Sequence, residues 1–188
     1  MWWSRSKRTK EPKADGISSA VSANLVILPD PILEETRRLL LSFRDSESQH
    51  EGIAYWAGIV QVHTTVVTSV IVPEAETTYG SYETSVTANA RVIRTASSRH
   101  LQILAQVHGH PGDWVGHSRG DDLGAFMPYG GFYSIVVPYY GRQGLLPLTQ
   151  CGVHEYRHGR FERLLENEIC RRFIVTPVSV DLRRGALP

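Results

Sequence analysis

Apolar and polar positions follow two periods along the chain, which predict a mixture of strands and helices. Short apolar runs typical of strands occupy residues 25–28, 52–60, 64–72, 101–107, 132–138 and 151–156. Helices are predicted over residues 32–43, where apolar residues recur at helical spacing, and over residues 91–100 and 161–173. This order predicts an α/β (α+β) fold, in which a mixed β-sheet is flanked by helices.

Proline and polar residues suggest where several of these elements begin and end. Asp30 is predicted to cap the first helix, with Pro31 at its first position. Residues 174–182 are predicted to form an edge strand, because Pro177 has no N–H to donate to a neighbouring strand. Residues 73–90 are polar and show no clear period, so no helix or strand is predicted for most of them.

Composition is that of one globular domain. The 20 Lys and Arg residues nearly balance the 19 Asp and Glu residues, which favours neither nucleic acid nor a membrane surface as a partner. The two cysteines, Cys151 and Cys170, are compatible with a reducing cytoplasm. No apolar run approaches the roughly 20 residues that span a bilayer. We therefore expect a cytoplasmic protein, and its oligomeric state is not indicated.

The first 20 residues differ in composition from the rest of the chain. Residues 1–20 combine five basic residues with Ser, Pro and Gly, which is typical of a flexible basic arm. An alternative is an arm that docks a partner through Trp2 and Trp3. Residues 21–188 are predicted to form the folded domain.

Candidate chemistry is concentrated in residues 108–121, which read H-G-H-P-G-D-W-V-G-H-S-R-G-D. His108 and His110 are two residues apart at the end of a predicted strand, so their side chains leave on the same face. Asp121, after a loop, supplies a carboxylate as a third possible ligand. Two imidazoles and one carboxylate suit zinc, and three protein ligands with one open position are typical of a catalytic site. The spacing predicts a zinc hydrolase.

This pattern resembles the signature of the JAMM (MPN-plus, or JAB) metallopeptidases over roughly residues 24–160. That signature is a distant glutamate, then H-x-H, seven residues, Ser, two residues and Asp, and here its positions are Glu51, His108, His110, Ser118 and Asp121. Gly109 departs from it, because many members have Ser or Thr there. The resemblance implies the cytidine-deaminase-like JAB/MPN fold.

The resemblance also implies a role for each site residue. His108, His110 and Asp121 would bind Zn²⁺, which activates a water molecule. Glu51 would take a proton from this water and pass it to the leaving amine. Ser118 would help to stabilise the carbonyl oxygen, and S-x-x-D is at the same time a helix-capping pattern.

A substrate class follows from the resemblance as well. Members of the family cleave after the C-terminal glycine of a ubiquitin-like protein, in deconjugation or precursor maturation. Prokaryotic single-domain members are encoded beside ubiquitin-like conjugation pathways, including antiviral operons. The extended tail of such a partner would lie near residues 73–90 and 139–146, although residues 73–90 are equally compatible with an ordinary surface loop. The alternative within this class is a metallopeptidase that processes a sulfur-carrier protein or a short peptide.

Two further function classes are open. Residues 116–120 match G-x-S-x-G, the nucleophile elbow of serine hydrolases, with Ser118 as the nucleophile. That motif requires a strand that runs directly into the serine, whereas the predicted strand ends at His110. A non-catalytic scaffold is the other class, and it is typical of relatives that have lost the metal ligands.

The other histidines and Asp122 have different predicted roles. His117 and His50 adjoin site residues, so each is either a surface residue or a group that orients the site. Asp122 is a rival to Asp121 but does not fit the S-x-x-D spacing. The other histidines are predicted to be structural, and these are His63, His100, His154 and His158.

Overall fold

The computed structural model describes residues 25–125 and 128–180, and the predicted basic arm over residues 1–20 lies outside this part of the chain. The strands are β1 (Leu25–Pro29), β2 (Ile53–Gln61), β3 (Thr64–Ile71), β4 (Glu76–Thr78), β5 (Ser81–Glu83), β6 (Gln102–Gly109), β7 (Tyr133–Val137), β8 (Gly152–Arg157), β9 (Arg160–Arg163) and β10 (Phe173–Thr176). The helices are α1 (Asp30–Leu40), α2 (Val86–Ser97), α3 (Arg119–Gly124) and α4 (Glu166–Arg172).

Eight of these strands form one mixed sheet in the order β10-β1-β3-β2-β6-β7-β8-β9. The pairs β1–β10, β1–β3 and β6–β7 are parallel, and the other neighbours are antiparallel. Strands β4 and β5 form a separate hairpin. The predicted fold class, a mixed sheet flanked by helices, is confirmed.

Side chains of the central strand β2 point alternately to the two faces of the sheet and are buried on both. Trp56 faces α1, where its indole N–H donates to the Thr36 hydroxyl over 2.9 Å. Ile53 and Tyr55 face the opposite side and pack with Val92 of α2. Because successive residues of a strand point to opposite faces, one nine-residue strand serves two hydrophobic clusters. The sheet is therefore a rigid base for the residues at its strand ends.

Two secondary-structure predictions were wrong because short hairpins were missed. Strands β4 and β5 occupy the segment without a clear period, joined by the two residues Tyr79 and Gly80, and α2 begins at Val86 rather than at residue 91. Residues 160–163 form strand β9 rather than the start of a helix. The turn before β9 places His158 and Gly159 at φ angles of 52° and 83°, the positive values that two-residue hairpins require.

Two boundary predictions also need correction. Helix α1 is preceded by the extended residue Pro29, so Asp30 lies inside the first turn and caps nothing with its side chain. The helix ends at Leu40 rather than near residue 43. The predicted C-terminal strand is found as β10, at the edge of the sheet, but it ends at Thr176. Pro177 therefore terminates the strand instead of lying within it.

Candidate metal centre

The end of strand β6 brings the two predicted histidines together. His108 is the last residue but one of this strand, and His110 follows immediately after it. The backbone N–H of His110 donates to the Val137 carbonyl over 2.9 Å, which continues the pairing with β7. Both imidazoles are buried, and their Nε2 atoms lie 3.2 Å apart. The strand end thus fixes two nitrogen ligands side by side.

Asp121 reaches the same point from the first turn of α3. Its Oδ1 lies 3.2 Å from His108 Nε2, and its Oδ2 lies 3.6 Å from His110 Nε2. The capping pattern predicted from S-x-x-D is present. Ser118 Oγ accepts from the Asp121 N–H over 3.0 Å, and the Ser118 N–H donates to Asp121 Oδ2 over 2.7 Å. The cap therefore holds the carboxylate against the histidines.

The three side chains fit a divalent metal ion. One ligand atom from each of His108, His110 and Asp121 lies within 4.8 Å of the others. The three shortest contacts among them resemble the roughly 3.3 Å edge of a zinc tetrahedron with bonds of about 2.0–2.1 Å. His110 Nδ1 lies 2.9 Å from the Trp114 carbonyl oxygen, which only accepts, so neutral His110 carries its proton on Nδ1. Its Nε2 lone pair is then free for a metal.

Electrostatics favour the metal-binding ionisation states of Asp121 and His108. Burial alone would raise the pKa of Asp121, but contacts with His108 and His110 outweigh it and hold that pKa far below its usual range. Burial lowers the pKa of His108 against the opposing effect of Asp121. Burial also acts to lower the pKa of His110, yet Asp121, the Trp114 carbonyl and Glu51 raise it on balance. An ionised carboxylate and a neutral His108 are the forms that bind metals.

Glu51 lies beside this cluster, two residues before β2. Its backbone N–H donates to the Thr78 carbonyl over 2.8 Å, which ties it to the β4–β5 hairpin. The residue is only 6% exposed. Burial raises the pKa of Glu51 to about 7, with His110 lowering it and Asp121 raising it further. A carboxylate with this pKa can both accept and donate a proton near neutral pH.

The cluster opens into a cavity of about 300 Å³. The side chains that matter for its chemistry are those of Glu51, Tyr82, His110, Trp114, Ser118 and Asp121. Gly80 and Ser81 of the hairpin complete one wall. Residues 139–146, near which the tail of a substrate is expected to lie, do not line this cavity. Tyr140 instead supports the hairpin, because its hydroxyl donates to the Tyr79 carbonyl over 2.8 Å.

Sequence reasoning missed two aromatic residues of the cavity. Trp114 stacks on His110 with ring centroids 5.2 Å apart and an interplanar angle of 15°. Tyr82 of β5 lies against His108, with ring centroids 5.2 Å apart. The available signal near Tyr82 was Gly80, because glycine between two polar segments marks a turn. No comparable local signal marks Trp114.

Gly109 has a structural reason for departing from the family pattern. A Cβ atom at this position would lie 3.0 Å from the Tyr140 Cα. The Tyr140 backbone is held there, since its N–H donates to the His110 carbonyl over 2.8 Å. A Ser or Thr side chain would therefore displace backbone next to a candidate ligand, whereas glycine permits the close approach.

The two histidines that adjoin site residues have other partners. His117 Nδ1 lies 2.8 Å from Asp122 Oδ1, and its Nε2 lies 2.7 Å from Ser134 Oγ. The Asp122 side chain is 57% exposed, in contrast to buried Asp121. His50 lies between Thr77 and Asp45 and so braces the hairpin. Neither histidine makes a direct hydrogen bond to the three candidate ligands.

The four histidines predicted to be structural lie apart from the three candidate ligands. His63, His100 and His158 are exposed. His154 is buried on β8, with its ring 4.3 Å from that of His117. Burial, with a smaller effect of His117, lowers the pKa of His154 to about 4. It is therefore a neutral residue packed behind the site.

The surroundings of Ser118 do not match a nucleophile elbow. Strand β6 ends at Gly109, nine positions before the serine, and a loop separates the two. Ser118 Oγ accepts from the Asp121 N–H as a helix cap. The serine-hydrolase alternative therefore lacks the strand that its motif requires.

Comparison with known proteins supports the metal-centre interpretation. No protein-family model matches the chain. A curated protein of Sinorhizobium fredii, named "Probable metalloprotease y4jG", is 29% identical over 145 residues, which cover 75% of this chain and 86% of that protein. The similarity is to a metalloprotease. Together with the buried group His108, His110 and Asp121, it supports a metallopeptidase that uses a metal ion.

A solved structure supports the fold. The solution structure of protein DSY2949 from Desulfitobacterium hafniense matches with a TM-score of 0.61 over 81% of this chain and 94% of that chain. The two sequences are 12% identical, so the match concerns the fold alone. None of the helices in residues 25–125 and 128–180 is long and apolar enough to cross a membrane.

Proposed function

We propose that this chain is a zinc-dependent JAMM-type peptidase that cleaves after the C-terminal glycine of a ubiquitin-like protein. The observation that carries the proposal is the convergence of His108, His110 and Asp121 at one point. Buried Glu51 lines the same open cavity as His110 and Asp121. The metalloprotease relative and the order of the motif residues support the same reaction class.

The three ligands would hold zinc through two imidazole nitrogens and one carboxylate oxygen. Zinc bound there would act as a Lewis acid and lower the pKa of a water ligand. His110 is oriented for this task by the Trp114 carbonyl, and Asp121 by the Ser118 N–H. Such contacts fix the orientation of each ligand side chain, so the site is ready to bind zinc before the substrate arrives.

Glu51 is the proton carrier in this mechanism. Its carboxylate accepts a proton from the attacking water and donates it to the amine that leaves. With a pKa near 7, the group is ionised in part before the reaction and can be protonated during it. Glu51 is buried just before the first residue of β2, which restrains its carboxylate and excludes bulk water.

Ser118 contributes a hydrogen bond to the substrate. Its oxygen accepts from the Asp121 N–H, so its own hydroxyl proton is available as a donor. The carbonyl oxygen becomes negatively charged as the water adds, and a fixed donor stabilises that charge more than it stabilises the ground state. Ser118 is thus a hydrogen-bond donor and not a nucleophile.

The substrate class rests on the resemblance and on the walls of the cavity. The β4–β5 hairpin forms one wall, and Trp114, 55% exposed, forms part of another. Glycine has no side chain, so a glycine-terminated tail lets the peptide main chain approach Glu51 and His110 closely. An extended tail along Gly80–Tyr82 would place its last carbonyl at the candidate metal centre.

The test is a cleavage assay with defined fusions. The full chain, supplied with zinc, is mixed with ubiquitin-like proteins that carry a C-terminal peptide extension, and the products are analysed by mass spectrometry. We expect a new C-terminal glycine, loss of cleavage on chelation, and recovery on adding zinc. A fusion with valine in place of the terminal glycine serves as the matched control. Cleavage of a sulfur-carrier fusion or short peptide, with all ubiquitin-like fusions intact, would overturn the substrate class.

A further inference from the structure

Tyr82 presents a hydrogen-bonding group that the mechanism above does not use. Its hydroxyl is shielded from solvent and has no hydrogen-bond partner among the described residues. The side chain lines the same cavity as Glu51, Ser118 and Asp121. A buried phenol normally has a partner, because leaving its O–H unpaired costs free energy. The substrate is the natural source of a hydrogen-bond acceptor for an unpaired hydroxyl at a candidate catalytic cavity.

Tyr82 lines the cavity together with two carboxylates, those of Asp121 and Glu51. Burial, followed by the charges of Asp121, Tyr55 and Glu51, raises the pKa of Tyr82 well above its usual value. Its phenol O–H can donate a hydrogen bond, as that of an ordinary tyrosine does at neutral pH. The hydroxyl makes no hydrogen bond to His108 Nδ1, which is also buried without a partner among the described residues. The Tyr82 and His108 rings nevertheless lie only 5.2 Å apart.

The hairpin that carries Tyr82 is held in place on several sides. The Glu51 N–H donates to the Thr78 carbonyl, and the Tyr140 hydroxyl donates to the Tyr79 carbonyl, each over 2.8 Å. His50 Nδ1 lies 3.1 Å from the hydroxyl of Thr77, the residue directly opposite Tyr82 in the hairpin. A donor fixed before the substrate binds needs no reorganisation during the reaction, which is the requirement for stabilising a developing charge.

We propose that Tyr82 is a further catalytic residue, whose O–H donates a hydrogen bond to the substrate carbonyl oxygen as that oxygen gains negative charge. Tyr82 and Ser118, which both line the cavity, then form a pair of donors. This inference rests on the proposed peptidase function. It adds a residue from the hairpin to the reaction itself, beyond any role of the hairpin in holding a substrate tail.

The decisive substitution is Tyr82→Phe, which removes only the hydroxyl. Tyr129→Phe is the matched control, because the Tyr129 hydroxyl donates to the Ile103 carbonyl over 2.9 Å and lies outside the cavity. Four measurements are made on each protein: thermal stability without metal, zinc affinity, affinity of the zinc-loaded protein for a phosphinate Gly-Gly-Lys peptide, and steady-state kinetics on a fusion that the wild type cleaves. The phosphinate carries a tetrahedral, negatively charged centre in place of the scissile carbonyl.

For Tyr82→Phe we expect a melting temperature equal to or above that of the wild type, and unchanged zinc affinity. Phosphinate binding should weaken about 10²-fold, and kcat should fall about 10²–10³-fold with little change in KM. Tyr129→Phe should lose thermal stability and keep its phosphinate affinity.

Two outcomes would overturn the role of Tyr82. Lower stability of Tyr82→Phe without metal would show that the hydroxyl has a structural partner. A loss of zinc affinity that accompanies the loss of activity would show that Tyr82 acts through a metal ligand. If the wild type itself neither binds zinc nor cleaves any fusion, the proposed function fails, which is distinguishable because the stability comparison needs neither zinc nor substrate.

Discussion

The side chains of Ser118 and Asp121 each accept a hydrogen bond from the other residue's backbone N–H. The Ser118 hydroxyl accepts from the Asp121 N–H over 3.0 Å, and the Asp121 carboxylate accepts from the Ser118 N–H over 2.7 Å. The second bond restrains a carboxylate whose oxygens lie 3.2 and 3.6 Å from the two histidines. One local capping motif therefore serves helix α3 and the candidate metal centre together.

Replacing Ser118 with Ala separates these two uses. We expect a loss of about 1 kcal/mol in the free energy of unfolding, as for other helix caps. Hydrolysis should fall about 10²-fold or more, because a donor to the carbonyl oxygen is lost. Zinc affinity should change less than tenfold, since the Ser118 N–H remains. Urea denaturation, calorimetric zinc titration and the fusion assay measure the three effects.

Ser85→Ala is the matched control for this prediction. Ser85 caps α2 in the same manner, accepting from the Ala88 N–H over 3.0 Å, and does not line the cavity. It should lose a similar free energy of unfolding and keep full activity. Equal losses of activity in both variants would mean that Ser118 acts only as a cap.

Glu51→Gln should stabilise the metal-free protein at alkaline pH. The pKa of Glu51 is about 7 in the folded chain and lower in the unfolded chain, so the folded state holds the extra proton between about pH 4.5 and 7. Its contribution to stability is present at low pH and is lost as pH rises through 7. At pH 8 the variant should exceed the wild type by about 3 kcal/mol, since one pKa unit corresponds to about 1.36 kcal/mol.

Chemical denaturation with a chelator present, at pH 5 and at pH 8, measures this difference. At pH 5 the two proteins should be nearly equally stable, because protonated Glu51 and glutamine are both neutral. Glu34→Gln on the exposed surface of α1 should show no such change with pH. A Glu51→Gln protein that is less stable than the wild type at pH 8 would contradict the raised pKa.

Zinc should raise the thermal stability of the wild type but not of His110→Ala. A ligand at 100 times its dissociation constant stabilises a folded protein by about 2.7 kcal/mol. For a chain of this size, that corresponds to a rise in melting temperature of about 5–10 °C. His158→Ala, which removes a side chain that is 84% exposed, should behave as the wild type does. A zinc-dependent rise of equal size in His110→Ala would place the ion elsewhere.

Trp114 should report metal binding by fluorescence. Its ring stacks on His110 at 5.2 Å, so a paramagnetic ion such as Co²⁺ bound by that histidine would lie close to the indole and quench its emission. Trp114→Phe should lose most of this quenching. Trp56→Phe removes a buried indole on the α1 side of the sheet and should retain it. Quenching that survives in Trp114→Phe would indicate that Co²⁺ binds away from His110.

The sequence predicted the parts of the site that depend on local spacing. The period of a strand places His108 and His110 together, and S-x-x-D selects Asp121 over Asp122, which pairs with His117 instead. The mixed sheet was predictable for the same reason, since its long strands β2, β3 and β6 are rich in apolar and β-branched residues.

What the sequence did not predict depends on contacts between distant residues. Tyr82 lies in a three-residue strand whose hairpin is held by hydrogen bonds from the distant residues Glu51 and Tyr140. Trp114 lies in a loop, and its position follows from stacking on His110 and from Gly116, where a Cβ atom would come within 2.8 Å of the indole. Strand β9 was mistaken for helix because its pairing with β8 outweighs local helix propensity.

The most direct test of the proposed metal-dependent proton transfer compares the wild type with Glu51→Gln, both loaded with zinc and assayed in single turnover on a fusion that the wild type cleaves. Zinc content is measured on the same samples. The proposal predicts one zinc per chain in both proteins and a rate on the order of 10²–10⁴-fold lower in the variant. A wild type that holds no zinc, or a zinc-loaded variant that cleaves at the wild-type rate, would contradict it.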